Sequence, residues 1–406
     1  MTRTILQDVR PWGGAAVDVV LTDDAISDIL PAGTAGTAVG DVRVAGRGRI
    51  LLPSFSDVHV HLDSTRIGLP FRPHTGSPGV WNMMLNDRSH WREAEQPIAW
   101  RTTETLGRMI AHGTTSVRSY AQVDVDCGLE RLDAVIAAKE AHAGRADVEI
   151  IAFPQAGLLR EEGSAELLAR AMEHGADVVG GIDPCALDRD PARHLDIVFD
   201  IAQRFDAPID IHLHEPDQLA RFSAELVVER VKALDLRGRV TISHGYGLAK
   251  LPERELRALL EEFAACDIAW ATIAPPSPLP TLLLAEYGIR LGLGEDGQRD
   301  YWTPYGNADM LDRTWQMSFT NGFRRDVDVE HCVAVATMGG RSVIGTAPRL
   351  AGIDDRPGLA IGDRADLVLV AGDTVAAAVM DRSPDRTVLH RGGVVADALA
   401  LVEGAA

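Results

Sequence analysis

Histidines and carboxylates in this chain recur at the ends of short apolar runs. His59 and His61 stand two apart in DVHVHLD. His212 and His214 do the same in IDIHLHE, with Glu215 next. His244 closes VTISH, and Glu295 and Asp296 close LGLGED. Residues two apart on a β-strand share a face, so His59 and His61 point the same way. Neutral imidazoles with a carboxylate suit one divalent ion, Zn(II) or Fe(II). Such an ion lowers the pKa of bound water and makes hydroxide available near neutral pH. The water's proton then needs a carrier to the leaving group, and Glu215 and Asp296 are the candidates. Taken singly, each residue reads as well as a packed core histidine or a structural acid. The argument therefore turns on what places them together.

Eight apolar runs alternate with segments of helical period. The runs span 53–63, 114–121, 147–155, 177–184, 208–215, 239–245, 267–274 and 289–296. Between them lie stretches such as ARHLDIVFDIAQRF and ERELRALLEEFAA, several closed by glycine (Gly113, Gly144, Gly175). This alternation predicts a parallel sheet, and eight repeats suit a (β/α)8 barrel. An open doubly wound sheet is the alternative, but no GxGxxG follows the first strand. A barrel collects its chemistry at the C-terminal ends of its strands. His59 and His61, Gln155, His212 to Glu215, His244 and Asp296 all fall there. Both chain ends, by contrast, read as short strands and turns, as in GLAIGDRADLVLVAGD and TVLHRGGVVAD. The expected organisation is a β-sandwich built from residues 1–52 and 351–406 around a barrel of residues 53–350.

The formal charge of −19 opposes binding to a phosphate polymer, and no local basic patch offsets it: acids follow Arg324 and Arg325 at once. Four cysteines stand far apart without a CxxC pair, so neither a disulfide framework nor a cysteine zinc site is expected. The first residues lack a signal peptide's apolar stretch, and no run of 18 apolar residues offers a membrane span. These features predict a cytoplasmic protein acting on a small molecule.

The segments HVHLD, AFPQ, IDIHLHE, ISHG and GED…DYWTPYGNADML resemble the amidohydrolase superfamily. Within it they are similar to the group of cytosine deaminases and N-isopropylammelide hydrolases. The resemblance covers nearly the whole chain. It implies metal ligation by His59, His61, His212 and Asp296, with Asp296 also taking a proton from the attacking water. It implies that His244 polarises water or substrate and that Glu215, in the H-x-x-E position, is the general acid/base. Gln155 would bind the amide edge of a ring, and Trp302 would line the pocket. Two-metal relatives carry a bridging lysine or carboxylate at strand four. The chain has only Lys139, Lys232 and Lys250, none in that strand, so one metal is expected, with Asp183 the sole conceivable bridge.

The chain departs from the group at Gln122, His214, Glu295 and Gly297 and in a long loop from Ser64 to about Trp91. His214 reads as a histidine that supports the ligands from behind or packs nearby, rather than as a ligand. The function implied is hydrolytic deamination of a small amino-substituted nitrogen heterocycle, with cytosine itself in doubt. Release of an alkylamine from a triazine-like ring, cyclic amide hydrolysis, and a non-enzymatic binder are the alternatives. The resemblance also points to a homo-oligomer.

Overall fold

A computed structural model describes residues 3–36 and 38–403. Eight strands form one sheet in sequential order: Phe55–Val60, Thr114–Gln122, Asp147–Phe153, Val178–Ile182, Ile209–Leu213, Val240–His244, Ala269–Thr272 and Leu291–Leu293. Every neighbouring pair is parallel. A helix follows each strand, as the alternating pattern predicted, and the sheet curls into a (β/α)8 barrel.

The helix Pro191–Phe205 illustrates the local logic. Asp190 caps it by accepting from the Arg193 N–H at 3.1 Å, proline opens the first turn, and Asp206 ends it in a left-handed conformation. Leu195, Val198, Phe199 and Ala202 form its buried stripe at helical spacing.

The barrel closes where the ligand candidates stand. The Asp296 N–H donates to the His59 carbonyl at 2.7 Å, and the His61 N–H donates to the Asp296 carbonyl at 3.2 Å. Strand eight can come this close because Gly294 lacks a side chain: a Cβ there would lie 2.5 Å from the His59 Cβ.

The chain ends build the second unit. Its strands run in the order 400–401, 393–397, 386–390, 367–370, 50–53, 3–11, 17–22 and 25–31, with 42–45 added beside 3–11. The expected sandwich takes the form of one sheet that folds over on itself. Strand Arg3–Pro11 pairs with 42–45 along its first half and with Ile50 and Leu51 at its end. Leu6, Val19 and Leu21 then share a core with Leu51, Leu367 and Leu389.

Candidate active site

Five side chains converge at the C-terminal end of the barrel. His59, His61 and His212 offer nitrogens within 4.8 Å of one another, and His59, His244 and Asp296 form a second such group. Asp296 Oδ1 lies 3.5 Å from His59 Nε2 and 3.3 Å from His61 Nε2. The Nε2 atoms of His61 and His212 face each other at 3.3 Å. His244 packs beside them, its ring centre 4.5 Å from that of His59 and 5.0 Å from that of His212. His244 and Asp296 leave their strands with φ of 64° and 62°. Such values are uncommon outside glycine and here sit at the ends of the strands that carry the cluster.

The chemistry of the donor set fits a divalent cation. Among the described residues, His59 Nε2 and both ring nitrogens of His244 are buried without a hydrogen-bond partner. Unpaired nitrogens are costly inside a protein unless something binds them. Burial holds His59 neutral, with its pKa lowered to about 4 despite Asp296. Burial, joined by the neighbouring imidazoles, pushes His212 and His244 well below the usual range. Asp296 is opposed by burial, but the imidazoles around it outweigh that, hold its pKa well below the usual carboxylate range and keep it ionised. Neutral His59, His212 and His244 beside an ionised Asp296 are in the protonation states that ligation needs, whereas for His61 burial is outweighed by Asp296, which leaves its pKa raised.

A polar layer beneath fixes the ring of His59. The Tyr120 hydroxyl lies 3.1 Å from His59 Nδ1 and 2.9 Å from both Asp210 Oδ1 and Ser243 Oγ. Ser243 also donates to Asp210, at 2.7 Å. With Asp210 ionised, the tyrosine proton goes to Asp210 or to Ser243. His59 Nδ1–H then donates to Tyr120, which leaves the Nε2 lone pair facing the cluster. That tautomer is the one a metal ligand must adopt. On the same strand face, Asp57 accepts from the His59 and Glu295 N–H groups at 3.0 and 3.2 Å.

The cluster opens into a cavity of about 170 Å³ lined by His61, Gln155, His212, His214, His244, Asp296, Asp300 and Trp302, among others. Gln155 and Trp302 thus stand on its wall, where the sequence placed them. Glu215 does not. Its carboxylate turns away from the cavity and accepts from the Cys185 and Ala186 N–H groups at 2.7 and 2.8 Å and from the Ser223 hydroxyl. The strand ends at Leu213, and in the irregular segment beyond it Glu215 is tied to the loop after strand four.

His214, read from sequence as a supporting or packed histidine and not a ligand, lines the cavity. Asp183 accepts from its N–H at 2.6 Å and from its Nδ1 at 2.9 Å. Burial lowers the His214 pKa, but the charge and hydrogen bond of Asp183 outweigh it and leave it raised. Both Asp183 oxygens are thereby engaged with His214. Asp300, read as structural, also borders the cavity. Burial lifts its pKa to about 6, against hydrogen bonds from Thr303, Ser64 and Trp302. The long first loop carries a helix, Val80–His90, and its His74 lies 2.8 Å from the Trp302 carbonyl.

Comparisons with known proteins agree with this geometry. The amidohydrolase family profile matches residues 82–396. An N-isopropylammelide isopropyl amidohydrolase of Pseudomonas sp. (strain ADP) is 26% identical over 361 residues, covering 87% of each chain. The crystal structure of N-isopropylammelide isopropylaminohydrolase from Burkholderia multivorans superimposes with a TM-score of 0.92 at 36% identity, over 99% of this chain and 100% of that one. A 5-methylcytosine deaminase from Klebsiella pneumoniae, liganded with 5-fluorocytosine, gives a TM-score of 0.79 at 25% identity, with 97% of each chain covered. Among the described residues no helix is long and apolar enough to cross a membrane. A profile match over most of the chain, and a barrel whose mouth gathers unpaired imidazoles around one aspartate, lead to one conclusion: the chain belongs to the amidohydrolase family and is a hydrolase acting on C–N bonds.

Proposed function

We propose that the chain hydrolyses the exocyclic C–N bond of a small amino-substituted nitrogen heterocycle. The observation that carries this reading is the cavity itself: unpaired imidazole nitrogens and Asp296 on one side, Gln155 and Trp302 on another. Its volume of about 170 Å³ is below the roughly 300–1,000 Å³ of pockets for drug-sized ligands and suits a single ring.

His59, His61, His212 and Asp296 would hold one divalent ion, Zn(II) or Fe(II), which supplies an activated water near neutral pH. The remaining roles belong to the chain. The Gln155 amide can donate to and accept from a lactam edge, fixing the ring's orientation. The Trp302 indole bounds the ring. Asp296 accepts the proton of the attacking water. His244 offers a hydrogen bond to the oxygen being added. His214, oriented through Nδ1 by Asp183, keeps Nε2 free to deliver a proton to the ring nitrogen or the departing amine.

Glu215 acts one step back. By binding the Cys185 and Ala186 N–H groups it holds the segment after strand four, and that segment carries Asp183. The general-acid role expected of Glu215 therefore passes to His214 in this reading.

The test is amine release by metal-reconstituted protein against cytosine, 5-methylcytosine, isocytosine, creatinine, amino-triazines and aminopterins. Turnover of at least one, lost in His214→Gln, is expected. Silence across the panel from protein carrying its ion would contradict the proposal and favour cyclic amide hydrolysis.

A further inference from the structure

One wall of the catalytic cavity carries groups that the proposed reaction leaves unused. Gln122 ends strand two, Asp63 follows strand one, and both line the cavity. They are 3% and 1% exposed. Gln122 is one of the positions where the chain departs from the cytosine deaminase group. Its side-chain amide can face only one way. Nε2 donates to Asp124 Oδ2 at 2.6 Å. Arg88 donates to the same oxygen at 3.0 Å, and the Asp126 and Cys127 N–H groups donate to the other at 2.9 and 3.0 Å. Burial would raise the Asp124 pKa, but the Cys127 N–H, the Gln122 amide and Arg88 outweigh it and leave it lowered. An ionised carboxylate only accepts, so Asp124 must face the amide nitrogen and Oε1 is left to the cavity. Among the described residues none donates to Gln122 Oε1. None donates to Asp63 Oδ1 either, while Asp63 Oδ2 takes the Gln122 backbone N–H at 2.8 Å. Buried acceptors without a donor are rare in folded proteins and call for a partner.

We infer that this wall reads a hydrogen-bond donor on the ring, one position beyond the lactam N–H, an inference that rests on the active-site reading above. The order of strands gives the direction. His214 follows strand five, Gln155 follows strand three, Gln122 ends strand two and Asp63 follows strand one. Take a pyrimidine whose C4 amine leaves. His214 serves N3, Gln155 serves the C2 carbonyl and N1–H, and the next position round the ring, C6, meets strand two. The substrate class is therefore a diamino heterocycle. One amino group leaves. The other stays, and its two hydrogens go to Gln122 Oε1 and Asp63 Oδ1. A methyl group in that place fills the same space but leaves both acceptors unpaired, which is costly in a buried site.

The experiment uses the reconstituted protein and two pyrimidines of one shape, 6-aminocytosine and 6-methylcytosine. Wild type is expected to favour the amino compound in kcat/KM by about tenfold, beyond the statistical gain from its second amine. Gln122→Met removes the acceptor. Asp124→Asn, an independent variant, frees the Gln122 amide to turn over. Each should cut the amino/methyl ratio about tenfold. If neither pyrimidine turns over while another member of the panel does, their inhibition constants against that member read the same ratio. A wild-type ratio at or below one overturns the inference, and so do variants that leave the ratio in place. Either result leaves the catalytic reading standing. No turnover of any compound by protein carrying its ion overturns that reading, and the donor-reading wall with it.

Discussion

Two clusters of histidine and aspartate lie at opposite ends of the barrel strands. One gathers His59, His61, His212, His244 and Asp296 at the strand ends. The other joins Asp147, which begins strand three, to Asp366 and His390 of the terminal sheet. By residue type both read as metal sites. Their neighbours differ. At the second, Arg364 and Arg391 each donate to Asp147 at 2.6 Å, Arg364 pairs with Asp366 at 2.8 Å, and Arg341 stands 3.8 Å from Asp366. His390 Nδ1 lies 3.0 Å from Asp366. Three guanidinium groups already supply the positive charge, so this cluster is an ion-pair knot fastening the terminal sheet to the barrel. The mouth cluster has no arginine bound to Asp296 among the described residues. A donor set signals a metal only when nothing else has neutralised it.

Breaking the mouth cluster should abolish chemistry and spare the fold. The largest effect short of removing a ligand is expected from His214→Gln. It should lower kcat by about 10²–10⁴, as loss of a general acid does, with the ion retained. Glu215→Gln, which disturbs only the clamp on residues 185 and 186, should cost much less. The reverse order in steady-state kinetics would return the acid role to Glu215. Tyr120→Phe removes the acceptor that fixes the His59 tautomer and should weaken metal affinity about 10–100-fold, read by competition with a chelator. Unchanged affinity would show that the polar layer does not orient the ligand.

Breaking the knot should do the opposite. Asp366→Asn leaves the buried Arg341 and the half-exposed Arg364 short of a partner and should cost up to about 3 kcal/mol of stability, while activity per folded molecule stays near wild type. Burial alone would raise the Asp366 pKa, but the hydrogen bond from His390 and the charge of Arg341 overcome it and hold it well below the carboxylate range. A carboxyl whose folded pKa is depressed contributes stability above its unfolded pKa, near 4, and loses it as pH falls through the folded value. Wild type should therefore lose stability steeply below about pH 4, and Asp366→Asn less so, in denaturant melts across pH.

The barrel was legible because each strand matches one contiguous apolar run, strand two overrunning its run by one residue, Gln122, and the site because barrel chemistry collects where those runs end. The choice between His214 and Glu215 was not legible, because both lie past the end of strand five. Residues two apart share a face only while the strand lasts, to Leu213, and the H-x-x-E resemblance pulled toward Glu215. The same rule marks Asp57 and Asp210, each two residues before a ligand candidate, as members of the layer beneath. Tyr120 and Ser243 carry no comparable local signal, since their meeting at Asp210 depends on the register of three strands. The knot was not legible: Asp147 is more than 200 residues from Arg364 and His390, and no local pattern joins them. The continuity of the terminal sheet was hidden for a similar reason, because strand Arg3–Pro11 changes partners partway along.

The most direct measurement is metal content per chain in wild type, His212→Ala and His390→Ala, after reconstitution with Zn(II) or Fe(II) and removal of excess ion. The account predicts one ion in wild type, near none in His212→Ala, and one in His390→Ala. Two ions in wild type, or an ion that survives His212→Ala and is lost with His390→Ala, would contradict it.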